Sequence, residues 1–234
     1  MLLLAVDTSG RHGSIALARA DESLTGAEPK PADIVEIVPL SGGTFSAELV
    51  PQIAALLSRH GFSKHDLGGF VAVSGPGSFT GLRIGLAAIK ALAETLEKPI
   101  AAISLLEILA LRAGLSGRVV SALDAGRGEV YVGEYEVAEA LGEKSARPIQ
   151  QRLLTPDEFL VLARSANLIT SDETVAAIAR SASLAVTVIE PINAGIVAQI
   201  GWTKIQAGET VTPEQLDANY IRRTDAEILA KSRP

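Results

Sequence analysis

Apolar and polar positions along the chain follow two different periods. Short apolar runs, each bounded by small or polar residues, read as strands over residues 2–7, 14–18, 34–38, 70–73, 100–103, 119–124 and 129–135. Elsewhere apolar residues recur at spacings of three and four, the mark of an amphipathic helix. Residues 46–60 gather Leu49, Ile53, Leu56 and Leu57 on one face and end at Gly61. Residues 79–96 carry one apolar stripe, Leu82, Leu86, Ile89, Ala93 and Leu96, and a second strip of small residues, Gly81, Gly85 and Ala88. A helix that is apolar or small around most of its circumference is covered on more than one side. One cover is its own sheet. The other is either a neighbouring helix of the same chain or a partner protein. Ser104 caps a further helix through Leu105, Ile108, Leu109 and Leu111 that stops at Gly114.

The later residues are less regular. A polar loop is expected over 21–33 and a polar linker over 137–147. Strands are expected over 150–154, 168–170 and 185–189, with helices over 172–180 and 194–207, the second carrying the single Trp202. Thr155, Pro156, Asp157 and Glu158 open another helix with an N-cap, a proline at the first position and acids in the first turn. The tail, 217–223, reads as extended. Strands alternating with helices indicate an α/β protein. A hairpin at the start of each half makes the sheets mixed, because Val6-Asp7-Thr8-Ser9-Gly10-Arg11-His12-Gly13 has a counterpart in Leu123-Asp124-Ala125-Gly126-Arg127-Gly128. Both read strand, Asp, small residues, Gly-Arg, Gly, strand. Similarity at half the chain length points to two duplicated lobes, residues 1–115 and a more divergent 116–234.

Between the strand at 70–73 and the helix at 79–96 lies Ser74-Gly75-Pro76-Gly77-Ser78, with Ser78 or Thr80 as N-cap. A strand–glycine loop–helix of this kind can cradle an anion at the helix N-terminus. It is equally a tight structural turn. It is neither a Walker loop nor a dinucleotide fingerprint, because the required Gly-Lys-Ser/Thr and Gly-x-Gly-x-x-Gly spacings are missing.

Composition narrows the function. A net charge of −6 and 4% aromatic residues argue against unaided nucleic-acid binding or a base-stacking platform. There is no cysteine, and hence no disulfide or thiol nucleophile. The three histidines, His12, His60 and His65, are not spaced four apart, so no pair offers two imidazoles one helical turn apart on one face. No metal site is expected. The N-terminus meets Asp7 too early for a signal peptide, no apolar run approaches 18 residues, and a cytoplasmic location is expected.

Three motifs together, the Asp7-Thr8-Ser9 hairpin, GPGSFTGLRIG at 75–85 and Asp124 with Gly128-Glu129-Val130-Tyr131, resemble the TsaB (YeaZ) family of the actin-like ATPase superfamily, with a weaker echo at Tyr220-Ile221-Arg222. The resemblance implies an actin-like, ribonuclease H-like α/β fold of two lobes, each a mixed sheet flanked by helices. It also implies a protein that is not catalytic by itself. TsaB-like proteins work with a larger paralogue, TsaD, and an ATPase, TsaE, in transferring threonylcarbamoyl to the adenosine beside the anticodon of tRNAs reading codons that begin with A. Homodimerisation alone and contact with tRNA only through the complex follow, with no membrane role. No cofactor is required by this chain, and ATP or ADP belongs to the complex. Asp7, Thr8, Ser9 and Asp124 occupy the positions of the superfamily's two phosphate loops. Here they read as a vestigial nucleotide cleft, because the second loop lacks the extended glycine run of working kinases. First-lobe helices form the partner surface in the family. This assigns Gly81, Leu82, Gly85, Ala88 and Ile89, together with helix 46–60, to that surface, and leaves Gly85→Leu as a change that blocks binding without unfolding. The alternative is an ATP-dependent small-molecule kinase, with Asp7 or Asp124 acting on magnesium or as a base. A peptidase is disfavoured: the sequence has no zinc motif, no cysteine and no Gly-x-Ser-x-Gly.

Overall fold

The computed structural model describes residues 1–21, 30–140 and 143–222. It divides into two compact units, Met1–Ile108 with Ile192–Ala218, and Leu109–Pro191 with the segment from Asn219 onward.

The first unit is built on a five-stranded sheet in the order β3-β2-β1-β4-β5. Its strands are β1 (Leu2–Asp7), β2 (His12–Arg19), β3 (Asp33–Ser41), β4 (Leu67–Gly75) and β5 (Ile100–Ser104). The first three are antiparallel neighbours, and β4 and β5 run parallel to β1. Both faces are covered, so β1 is buried throughout instead of alternating with solvent. Its period of two still sorts side chains: Leu2, Leu4 and Val6 join one core, Leu3 and Ala5 the other. The first core is closed by α1 (Phe45–Arg59) and α2 (Phe79–Leu96). The second is closed by α6 (Ala194–Gln206), through Ala194, Val197, Ala198 and Trp202, with Ile108 of α3 (Leu105–Arg112).

The second unit repeats this plan. Its sheet order, β10-β9-β6-β7-β8, is the first read backwards. The strands β6 (Gly117–Gly126), β7 (Glu129–Ala140) and β8 (Glu143–Leu154) form the antiparallel part, and β9 (Asn167–Thr170) and β10 (Thr187–Val188) run parallel to β6. On one face α4 (Pro156–Ala163) and α5 (Glu173–Ser181) cover Val120, Ala122, Val130 and Val132. The start of α4 is a full capping box between Thr155 and Glu158, as its sequence indicates.

Three expectations change. The stretch 137–147, read as a polar linker, forms the ends of β7 and β8, paired through Glu136 with Arg147 and Glu139 with Lys144. Opposite charges across a ladder support strands whose composition alone does not signal them. The strand expected at 185–189 shortens to Thr187–Val188. The tail expected to be extended is neither helix nor strand over 217–222, and residue 223 lies outside the described residues. Most of the polar loop expected at 21–33, residues 22–29, and the tip 141–142 lie outside them too. Last, the sequence division at 115/116 differs from the structural one, because α6 packs on the first sheet, not the second. The cause is apolar fit. Gly201 lets α6 approach so closely that an added Cβ would lie 2.2 Å from Val71 Cγ1.

That contact gives a direct test. Gly201→Ala forces a methyl against β4 and is expected to destabilise the protein by about 1–3 kcal/mol, read as a lower denaturant midpoint at unchanged slope.

Candidate functional site

The hairpin between β1 and β2 carries Asp7, Thr8 and Ser9, which are all buried. Asp7 Oδ1 accepts hydrogen bonds from the Ser9 amide at 2.9 Å and from Ser9 Oγ at 2.5 Å. Thr8 Oγ1 donates to the Gly81 carbonyl at 2.7 Å, in the first turn of α2. The Ser78 amide donates to the Ser9 carbonyl at 2.6 Å, and Ser78 Oγ caps α2 by accepting from the Gly81 amide. The loop and the start of α2 are thus bonded to each other through Thr8 and Ser9, and Asp7 holds Ser9 in place within the loop.

Glycines make this approach possible. A Cβ on Gly77 would lie 2.4 Å from the Ser9 carbonyl oxygen. One on Gly81 would lie 2.1 Å from the Thr8 carbonyl oxygen, and one on Gly85 2.3 Å from Thr8 Oγ1. The small-residue strip of α2 therefore faces its own hairpin. Leu82 and Ile89 are buried with it, at 1% and 0% exposure. This corrects the sequence expectation: Gly81, Leu82, Gly85 and Ile89 belong to the interior of the first unit, and Gly85→Leu strikes Thr8, not a partner. Ala88 alone of that set is partly exposed.

The outer faces of the two helices are different in kind. On α2 they expose Arg83, Ala87, Ala91 and Glu94; on α1, Ala47, Val50, Pro51 and Ala54. Val50 is 64% exposed. The Arg83 guanidinium lies over the Phe79 ring, 3.7 Å from its centre. Periodicity placed these helices correctly but drew attention to the stripe that packs inward. The exposed residues of α1 lie within helix 46–60, named whole from the sequence; Ala87 and Ala91 of α2 were not singled out, because alanines carry no signal of their own.

In the second unit Asp124 repeats the Asp7 turn. Its Oδ1 accepts from the Gly126 amide at 2.8 Å, two residues on, as Asp7 does from Ser9. Arg127 and Gly128 follow with φ of +58° and +74°, the signature of a tight primed hairpin turn. Unlike the first loop, Asp124 is exposed. The turn is held from the tail: Arg222 donates to the Gly126 carbonyl at 3.1 Å and to Glu129 Oε2 at 2.6 Å. Further along β7, Glu134 is 3% exposed and is paired with Arg118 and Arg152 from the flanking strands. Burial works to raise its pKa, and the two guanidinium hydrogen bonds outweigh it, so the carboxylate sits below its usual range. Among the described residues no group of three or more His, Cys, Asp or Glu side chains is placed to hold a metal ion, and no helix is long and apolar enough to cross a membrane.

The family model described as TsaD, tRNA N6-adenosine threonylcarbamoyltransferase, matches residues 37–199. The tRNA threonylcarbamoyladenosine biosynthesis protein TsaB of Bacillus subtilis is 34% identical over 70% of this chain. The protein of the same name from Escherichia coli is 32% identical over 58% of it. YeaZ from Pseudomonas aeruginosa superposes with a TM-score of 0.69 at 26% identity, over 94% of this chain and 100% of that structure.

The chain belongs to the TsaB/YeaZ family.

Its two mixed sheets with flanking helices are the actin-like, ribonuclease H-like fold of YeaZ. The sequence matches span 63% of the Bacillus subtilis TsaB and 55% of the Escherichia coli TsaB.

Burial pushes the Asp7 carboxyl above its ordinary range, against the pull of the Ser9 hydrogen bonds. A raised pKa in the folded state means the stabilising effect is complete below the unfolded-state pKa and is lost as pH rises through the folded-state value. Asp7→Asn keeps the Oδ1 acceptor without the charge. It is expected to be more stable than wild type near pH 7.5, with the gap closing towards pH 4, as measured by denaturant midpoints.

Proposed function

We propose that this TsaB/YeaZ-family chain is a non-catalytic subunit in threonylcarbamoyl transfer to the adenosine beside the anticodon of tRNAs that read codons beginning with A. It docks a TsaD-like paralogue and works with a TsaE-like ATPase. It reaches tRNA only through that assembly, consistent with its net charge of −6. The names of the Bacillus subtilis and Escherichia coli relatives, and the TsaD family model, support the pathway.

The observation that carries the subunit role is the outer face of α1 and α2. Ala47, Val50, Pro51, Ala54, Ala87 and Ala91 expose a smooth, small-residue surface on two neighbouring helices. Such a surface suits close helix–helix approach and fits a partner's helices better than a small molecule. The first hairpin supports the same reading. Thr8 Oγ1 and the Ser9 and Ser78 amides already serve internal acceptors, and the glycine contacts leave no room for a phosphate between loop and helix. We read Asp7, Thr8, Ser9 and Asp124 as remnants of a nucleotide cleft, with no cofactor required by this chain.

The test is co-elution with the TsaD-like paralogue of the same organism. Wild type is expected to form a stable heterodimer and to turn over no ATP alone. Val50→Asp and Ala87→Trp, both at exposed positions, are expected to lose the heterodimer at least tenfold in affinity with the fold intact. Gly85→Leu is expected to damage folding first. ATP turnover by the purified chain, or co-elution untouched by both surface changes, would overturn the reading.

A further inference from the structure

The turns at one end of the first sheet carry charge that the bonds of the Asp7-Thr8-Ser9 hairpin do not use. The strands β1 and β4 end there and β2 begins there, so the turns 8–11, 42–44 and 76–78 open side by side. Their contacts join them into one rim. The Ser78 amide donates to the Ser9 carbonyl at 2.6 Å. Gly42 lies so near the hairpin tip that an added Cβ would stand 1.8 Å from the Arg11 carbonyl oxygen. His12 pairs with Ser41 at the end of β3.

The charges on this rim have one sign. Arg11 and His12 at the hairpin tip, and Arg83 at the start of α2, are all exposed. Among the described residues neither the Arg11 nor the His12 side chain makes a hydrogen bond or ion pair. Arg83 is braced on the Phe79 ring, 3.7 Å from its centre. Residues 8–13, 41–44 and 74–83 include no acid. Asp7, just before them, is buried and engaged by Ser9. On α2 the first acid is Glu94, about 22 Å along the axis from Phe79. Where β5 runs into α3 at the same end, Glu107 is paired with Lys204 of α6. With Glu48, exposed in the first turn of α1, counted against Arg11 and Arg83, the rim still carries net positive charge. In a chain of net charge −6 this is a local reversal of sign.

We propose that this rim takes the phosphodiester backbone of the tRNA while the chain is held in the transfer assembly, with Arg11 and Arg83 donating to phosphates and His12 beside them. The proposal rests on the subunit role argued above and adds a contact to it. A guanidinium presents several donors to phosphate oxygens at once. Two or three such contacts are too few to hold RNA against the chain's net charge, so this contact depends on the paralogue's hold on the same RNA. It orients the tRNA without reading its sequence. An acidic protein partner fits less well. A protein interface needs an apolar centre, and apart from Phe79, already faced by the Arg83 guanidinium, the exposed residues of these three turns are Gly, Ser, Thr and bases.

Fluorescence anisotropy of a labelled tRNA, titrated with the preformed complex of this chain and its TsaD-like paralogue over a range of salt, tests the contact. Co-elution first shows that each variant still holds the paralogue. Arg11→Glu and Arg83→Glu are each expected to weaken tRNA binding several-fold. Neutralising both, in Arg11→Ala with Arg83→Ala, is expected to weaken it about tenfold and to flatten the slope of log affinity against log salt by about 1.5, equally for tRNAs of different sequence. Unchanged affinity and slope with the paralogue still bound would overturn the proposal and leave the subunit role standing. Variants that release the paralogue instead would also overturn it, and would assign the rim to a protein contact. Arg11 is carried by the hairpin and not by α1 or α2, so Arg11→Glu decides the matter even where Arg83→Glu disturbs docking. A wild type that never joins the paralogue is seen before RNA is added, and removes the subunit role together with the contact that rests on it.

Discussion

The close approach of the Asp7-Thr8-Ser9 hairpin to the start of α2 is the constraint on which the first unit depends. The Thr8 hydroxyl reaches the Gly81 carbonyl at 2.7 Å only because residues 77, 81 and 85 have no side chain to intervene. That contact fixes the rotation of α2. With Gly81 and Gly85 turned to the hairpin, Leu86, Ile89 and Ala93 fall onto the sheet, and Ala87 and Ala91 are left facing solvent. One packing decision therefore determines both what the helix buries and what it leaves exposed.

The two units apply the same topology to different ends. Each begins with a strand, an Asp that accepts the amide two residues on, and a hairpin. In the first unit the hairpin is filled by glycine-mediated packing from α2. In the second it is exposed, and the guanidinium of Arg222 clamps it from the tail through Gly126 and Glu129. The ion pairs of Glu134 with Arg118 and Arg152 add a second fixed point in the same sheet. A buried carboxylate with two guanidiniums restricts register more than it adds net stability, because desolvation offsets much of the attraction.

Much of this was legible in the sequence. The bounds of α2, the capping box at Thr155 and the repeated Asp hairpin all follow from local chemistry: spacing, caps and turn residues. What local chemistry does not encode is which neighbour a face meets. The strip Gly81, Gly85, Ala88 reads the same whether it faces a hairpin or a partner, and only the tertiary fold assigns Gly81 and Gly85 to Thr8. The same limit explains 137–147, whose polar residues form strands by pairing with each other. It also explains α6, which follows the second sheet in sequence but matches the first in shape through Gly201 and Trp202.

The central claim is that the Asp7-Thr8-Ser9 loop is a structural clip closed against α2, not a phosphate cradle. Backbone amide shifts of the isotopically labelled protein, followed during titration with magnesium-ATP, test it most directly. The expected result is that the amides of residues 7–9 and 77–82 do not move up to millimolar nucleotide. Saturable shifts confined to those residues would contradict it, and would return the hairpin to the role of a working nucleotide site.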